Sequence, residues 1–302
     1  MFGTIIAGCD GSGKGRRAVA LAAALAEATG DALVLVGIHP DHLVEFPSLH
    51  VGARRELHKQ TVADVHRVRD ELAPQARCIA LPGISVAHGL RHAAEHEHAG
   101  LIVVGSAHRR GRRRILDGDH ALQVMHGAPT AVLLVPDESG AVAPIRRVTV
   151  AVDGSDEAAA ARDLAVGIAR ACGADLTVMR AVDDRLPASV AGAYPMAVDW
   201  RDVVRERVQH AREFVDSAAE RCDLPHARGE ILVGRPVEEI LRAGEDADLL
   251  VLGSRRWGTL KRLALGSTSE AVVRRASCPV LIPPRGVGVH AEAEAAAAAE
   301  AP

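Results

Sequence analysis

Short runs of aliphatic and β-branched residues alternate along the chain with longer stretches whose apolar positions recur every three or four residues. The short runs fall at 4–9, 32–38, 77–82, 100–105 and 130–136, with amphipathic stretches at 13–29, about 52–73, 84–98 and 119–127 between them. The cycle then starts again, with short runs at 147–152, 175–181, 228–233, 248–253 and 279–283. Runs this apolar on both faces, each followed by a helical period, predict parallel strands covered by helices on both sides. Right-handed crossovers turn each set of five into a doubly wound sandwich. The predicted fold class is therefore α/β, with two tandem doubly wound parallel five-stranded sheets.

The two sets are copies. Thr4-Ile-Ile-Ala-Gly-Cys-Asp10-Gly-Ser12 returns as Thr149-Val-Ala-Val-Asp153-Gly-Ser155, and Leu101-Ile-Val-Val-Gly105-Ser106 returns as Leu249-Leu-Val-Leu-Gly253-Ser254. The offset is 143 residues between Asp10 and Asp153 and 148 between Gly105 and Gly253. That drift is a loop-length change inside a duplicated domain, and the period is far too long for a solenoid. The expected domains are 1–140 and 146–285, joined through the polar stretch Asp137–Pro144. An Ala/Glu-rich tail at 286–302 is expected to be disordered.

Composition narrows the function classes. The 36 basic residues are balanced by 39 acidic ones, which leaves no whole-chain attraction to nucleic acid or to an anionic membrane. With three Phe, two Trp and one Tyr, a stacking platform for single strands is excluded. The five cysteines (Cys9, Cys78, Cys172, Cys222, Cys278) are dispersed without a C-x-x-C pair, the pattern of free thiols in a reducing compartment. Lys14, Arg16 and Arg17 follow the first apolar run, the reverse of a signal peptide, and no run approaches the length of a membrane span. A cytoplasmic location is the expectation.

In an open parallel sheet, ligands bind beyond the carboxyl ends of the strands where the strand order reverses. Two features of each copy fall there: the Asp-Gly-Ser turn and the loop after the fourth strand. Asp-Gly-Ser is also ordinary strand-to-helix turn chemistry, with Ser155 a candidate N-cap. The loop in the second copy says more. It runs Gly253-Ser-Arg-Arg-Trp-Gly258-Thr-Leu-Lys261-Arg262-Leu-Ala-Leu-Gly266-Ser267-Thr268-Ser269, so four cationic side chains lead into a Gly-Ser-Thr-Ser helix start. Free N–H groups, hydroxyls and a positive helix end suit a phosphate.

These segments, in this order and twice over, resemble tandem members of the universal stress protein family. Ala247-Asp-Leu-Leu-Val-Leu-Gly-Ser254 and the closing Cys278-Pro-Val-Leu-Ile-Pro283 strengthen the resemblance, which extends from Thr4 to Pro284. It implies an adenine nucleotide alpha hydrolase-like fold with strand order 3-2-1-4-5, pairing through the last strand, and a site for ATP accompanied by Mg2+. It implies an ATP-binding regulatory protein of the stress response, a homodimer whose partner is the nucleotide, with at most slow ATP hydrolysis. The alternatives are a protein acting through its interfaces without nucleotide, or a slow ATPase. By this resemblance Asp153 lies near adenine and ribose, Val182 offers its backbone to adenine, and Gly253, Gly266, Ser267 and Thr268 form the phosphate loop. Arg256 departs from the family pattern by standing where the middle glycine of Gly-x2-Gly-x9-Gly-Ser/Thr belongs. The first copy departs further, as Gly105-x2-His108-x9-Gly118-Asp119, with a carboxylate in place of the hydroxyl. Asp10, Gly105 and Gly118 therefore mark a weaker, degenerate site.

Three other signals carry less. Gly8-x4-Gly13-Lys14-Gly15 has a Walker-like look but lacks the magnesium-binding hydroxyl. Twelve of the 15 histidines precede residue 127, and His88, His92 and His96 share one helix face at a spacing that suits either metal chelation or a plain polar surface. Five arginines between Arg109 and Arg114 suit either a polyanion or a solvated loop. No Ser/His/Asp arrangement and no spaced carboxylate pair marks a catalytic centre.

Overall fold

The first apolar run forms β1 (Thr4–Gly8), with Ile5 and Ala7 buried on one face of the sheet and Ile6 on the other. Such two-sided burial recurs in every central strand, which is why the runs are continuous instead of alternating. The fold is that of a computed structural model, which describes residues 1–40, 51–106, 120–137, 144–185, 200–253 and 266–284. The first copy continues with α1 (Gly13–Thr29), β2 (Ala32–Pro40), α2 (Val51–Leu72), β3 (Arg77–Gly83), α3 (Val86–His96), β4 (Leu101–Ser106), α4 (His120–Met125) and β5 (Ala131–Pro136). The second consists of β6 (Arg147–Ala151), α5 (Asp156–Cys172), β7 (Asp175–Val182), α6 (Trp200–Glu220), β8 (Ala227–Val233), α7 (Pro236–Glu245), β9 (Leu249–Leu252), α8 (Ser267–Val273) and β10 (Val280–Ile282).

Within each copy the strands lie in the order 3-2-1-4-5, all parallel. The two five-stranded units are continuous through their last strands, the pairing that the resemblance implies. The order across the molecule is β3-β2-β1-β4-β5-β10-β9-β6-β7-β8, one ten-stranded sheet. The copies join where β10 runs antiparallel to β5, with Val280 opposite Leu134, Leu281 opposite Leu133 and Ile282 opposite Val132. The cause lies in β5, whose six residues are all buried. A strand apolar on both faces is a poor edge, and pairing it with its counterpart removes both edges at once.

Each face carries a core that ignores the boundary between copies. On one face α1 and α5 meet over the seam, and Ile5, Leu21 and Leu25 share a cluster with Val148, Ile168 and Leu176. On the other, Ile6, Val34 and Leu134 share a cluster with Leu250, Val280 and Ile282. The amphipathic helices start where hydroxyl caps predict. Ser12, Ser85 and Ser155 accept from the N–H of Gly15, His88 and Ala158, each three residues on. α1 and α5 end on glycines in the left-handed region, Gly30 (φ 71°) and Gly173 (φ 62°). All five cysteines are free, and burial pushes the Cys278 thiol up to about 12 and that of Cys9 up to about 11, as inert core residues. Among the described residues no helix is long and apolar enough to cross a membrane.

Because the cores are shared, truncating the seam should weaken both copies together. Leu281→Ala removes a fully buried side chain opposite Leu133 and is expected to cost about 2–5 kcal/mol. In urea denaturation the loss should appear in a single transition by both circular dichroism and tryptophan fluorescence. Two separated transitions would contradict a common core.

Candidate functional site

The reversal of strand order in the second copy lies between β6 and β9, with β7 on the far side of β6. At the carboxyl end of β6 the chain turns at Asp153, passes Gly154 at φ 91° and enters α5. The Asp153 carboxylate accepts from the Ser155 N–H at 3.0 Å and from the Ser155 hydroxyl at 2.6 Å. The same hydroxyl accepts from the Ala158 N–H at 3.2 Å. Asp153 is exposed, and both bonds use one oxygen, Oδ1, which leaves Oδ2 without a hydrogen-bond partner among the described residues.

Across the crevice, β9 ends at Gly253 and α8 opens at Gly266. The Ser269 hydroxyl donates to the Gly253 carbonyl at 2.9 Å and ties the two ends together. Gly266 caps α8 without a side-chain bond, and the first helical bond is Glu270 N–H to Gly266. The N–H groups of Ser267, Thr268 and Ser269 precede that bond and face the crevice unused by the helix. Gly253 has a further reason to be glycine. A Cβ there would lie 3.1 Å from the Ala158 nitrogen and the Glu157 carbonyl carbon, so the start of α5 packs directly on the strand end. Asp153 thus follows β6, Gly253 follows the adjacent strand β9, and Gly266, Ser267 and Thr268 open the helix tied to Gly253 through Ser269; Arg256 and Gly118 lie outside the described residues.

Val182 ends β7, 4% exposed, and its carbonyl already accepts from the Gly234 N–H at 3.0 Å. Peptide groups alternate in direction along a strand. The neighbouring Ala181 therefore turns its backbone toward β6, which has ended by that level. The Ala181 backbone, one residue before Val182, is thus the one directed toward the end of β6. Beyond it, Arg185 donates to Asp183 at 2.9 and 2.7 Å and, with its own N–H, holds that carboxyl down to about 2. The Trp200 indole donates to the Asp184 carbonyl at 2.7 Å, anchoring α6 at the same mouth.

The first copy repeats the turn and little else. Asp10 accepts from the Ser12 N–H at 3.0 Å and its hydroxyl at 2.5 Å, and Ser12 caps α1. The Walker-like segment is accordingly a helix cap, with α1 already begun at Gly13. Asp10, Lys14, Leu90, Val104 and Gly105 line a narrow cavity of about 80 Å³ at this strand end. At the position of Val182 stands buried His39, whose Nε2 lies 3.2 Å from His58 Nδ1.

Comparison with known proteins fits this geometry. The universal stress protein family model matches residues 1–136 and again residues 144–284. The chain belongs to the universal stress protein family. One relative, a universal stress protein of Thermus aquaticus, is 35% identical over 139 residues, covering 45% of this chain and 97% of its own. A universal stress protein of Mycobacterium tuberculosis is 24% identical over 301 residues, covering 92% of this chain and 94% of its own, and so repeats the tandem. A crystal structure of a universal stress protein from Archaeoglobus fulgidus superposes with a TM-score of 0.66 over 95% of this chain and all of that one, at 19% identity. That last likeness establishes the fold alone.

In this universal stress protein the histidine row of α3 is a surface feature. His88, His92 and His96 are exposed, with ring centroids 6.5 and 6.4 Å apart. Among the described residues no group of three or more His, Cys, Asp or Glu side chains is placed to hold a metal.

Two measurements test the local geometry. At Gly105 a Cβ would fall 2.5 Å from the Lys14 carbonyl oxygen, far tighter than at Gly253. Gly105→Ala should cost about 1–3 kcal/mol in urea denaturation, and Gly253→Ala distinctly less; equal losses would contradict the packing. The Asp183 carboxyl, depressed by Arg185, contributes stability above the ordinary carboxylate range, and that contribution disappears as pH falls through about 2. Its carboxyl carbon should titrate there by NMR, and Arg185→Ala should return it toward the ordinary value.

Proposed function

We propose that this universal stress protein binds an adenine nucleotide, ATP, in the crevice between β6 and β9 and acts as a cytoplasmic regulatory protein. The observation that carries the reading is the meeting of two complementary groups at one strand-order reversal. A carboxylate oxygen of Asp153 without a partner among the described residues stands on one side, and the unused N–H groups and hydroxyls of Ser267 and Thr268 on the other. A ribose hydroxyl is a donor and fits the first; a phosphate is an acceptor and fits the second. Gly253, Gly266 and the backbone at Ala181 and Val182 complete the lining, and Arg256 belongs to the proposed phosphate loop.

Charge-assisted bonds to phosphate contribute about 1.5–3 kcal/mol each, enough for affinity on the order of micromolar after the cost of association. The sequence marks no second group beside Asp153 for activating water, so nucleotide binding without appreciable turnover is the proposal. The first copy retains Asp10 and Gly105 around a cavity of about 80 Å³, small for a purine nucleotide, and is proposed as the non-binding copy. The internal seam uses the β5 and β10 edges, so a homodimer of chains would associate through other surfaces.

Calorimetric titration of the full chain with ATP tests the reading. Saturable binding near one nucleotide per chain is expected. Gly266→Asp, which sets a carboxylate against the phosphates, should weaken it by about a hundredfold, and Asp153→Ala by about tenfold. Absence of binding at ~1 mM ATP would overturn the proposal, as would a Gly266→Asp variant that binds like the parent.

A further inference from the structure

At the opposite, amino-terminal ends of the same strands the two copies differ in a way the nucleotide reading does not use. In the first copy the sheet face beneath α3 is apolar. Ile6 and Val34 are buried in register with each other, and Ile79 packs beside them on β3. The matching residues of the second copy, beneath α7, are Thr149, Thr177 and Glu230. The apolar core has become the floor of a groove of about 590 Å³.

The groove also lacks the ion pair that closes this place in the first copy. There the C-cap of α3, Glu97, pairs with Arg77 of β3. The matching residues are Asp246, the C-cap of α7, and Arg228 of β8. Asp246 is one methylene shorter, and among the described residues no ion pair joins it to Arg228. Arg228 instead donates its Nε to the Thr177 hydroxyl at 3.2 Å, and neither terminal nitrogen of its guanidinium has a hydrogen-bond partner among the described residues, at the wall of the groove. Arg147 is neutralised by Asp248 at 3.1 Å. Glu230, Asp246 and Asp175 line the groove with no ion pair to any described residue.

With Arg147 paired to Asp248 and also felt by Asp246, and with His226 the remaining ionisable wall residue, three carboxylates outside any ion pair stand next to a single unpaired guanidinium fork. We infer that the groove beneath α7 is a second binding site, for a free amino acid with a cationic side chain. The ligand carboxylate takes the two open nitrogens of Arg228, a bidentate geometry that guanidinium groups favour. The α-ammonium lies between Glu230 and Asp246, replacing the pair that Arg77 and Glu97 make in the other copy. The side-chain cation extends toward Asp175 at the start of β7. An uncharged amino acid leaves Asp175 unsatisfied, and an amine without a carboxylate leaves Arg228 so.

The site lies across the sheet from the proposed nucleotide crevice, at the other ends of β6, β7 and β8, and stands or falls independently of it. Calorimetric titration of the full chain with arginine and with lysine should give saturable binding of at least one of them. Leucine, and the amine left when arginine loses its carboxylate, should bind at least about tenfold more weakly. Arg228→Leu, at an exposed position, should weaken binding by about tenfold or more without loss of the circular dichroism spectrum. The triple change Thr149→Ile, Thr177→Val, Glu230→Ile writes the first copy's core into the second. It should abolish binding while raising the urea midpoint, a gain that a merely damaged fold does not show. No binding of either amino acid at ~10 mM, unaltered binding in Arg228→Leu, or competition by ATP would overturn the inference.

Discussion

The pairing of β5 with β10 is the constraint on which the molecule depends. Three opposed residues are a short ladder, yet they close the two strands least able to face water. The closure sets the copies antiparallel, so their carboxyl strand ends point in opposite directions along one sheet. It also brings α1 against α5 on one face and the strands of both copies into one cluster on the other, so each face acquires a core common to both copies. The first copy can then lose ligand-binding chemistry without becoming dispensable. Its strands and helices supply half of the packing that holds the second copy's crevice in shape.

Backbone approach is the second constraint, and it separates what a glycine does for the fold from what it does for a ligand. Gly105 and Gly253 end equivalent strands and both lie against the first turn of a helix. Their lack of a side chain would be required with no nucleotide present, so as a motif element each says less about phosphate than the family pattern implies. Gly266 is different in kind. As an N-cap it satisfies no helical donor, where Ser12, Ser85 and Ser155 each satisfy one. A glycine cap that leaves its donors open costs helix stability only roughly a few tenths of a kcal/mol relative to serine, a cost that the anion proposed for this site would offset.

Much of this was legible in the residues. The strand runs at 4–9, 100–105 and 147–152 needed only continuous burial, and the serine caps only the spacing to an apolar period. The duplicated Asp-Gly-Ser turn forms in both copies, because an Asx-type turn is a local structure made by the residues that spell it. Long-range facts were not legible. Nothing in Thr130–Pro136 says that its partner is the terminal strand of the other copy in place of a second chain, since both would bury the same side chains. A motif names Val182 but carries no peptide orientation, whereas the alternation of β7 directs the Val182 carbonyl to Gly234 and that of Ala181 toward the β6 side. The loops around Arg256 and Gly118 lie outside the described residues.

The polar groove escaped notice for a related reason, and its energetics explain how it persists. Thr149 and Thr177 keep the β-branch of Ile6 and Val34, so strand propensity hardly changes and the periodic pattern survives. What changes is one hydroxyl each on a buried face, and burying a hydroxyl without a partner costs about 1–3 kcal/mol. Arg228 lowers that cost by donating to Thr177, and in doing so gives up the carboxylate that its counterpart Arg77 keeps. Glu230 has no such compensation among the described residues, on a face where Ile79 shows that an apolar residue packs well. A duplicated domain supplies its own control: the same register, strand order and helix cover exist a few tens of ångströms away with the core intact. The polar substitutions are therefore not demanded by the fold, and their arrangement around one open guanidinium is the property to be explained.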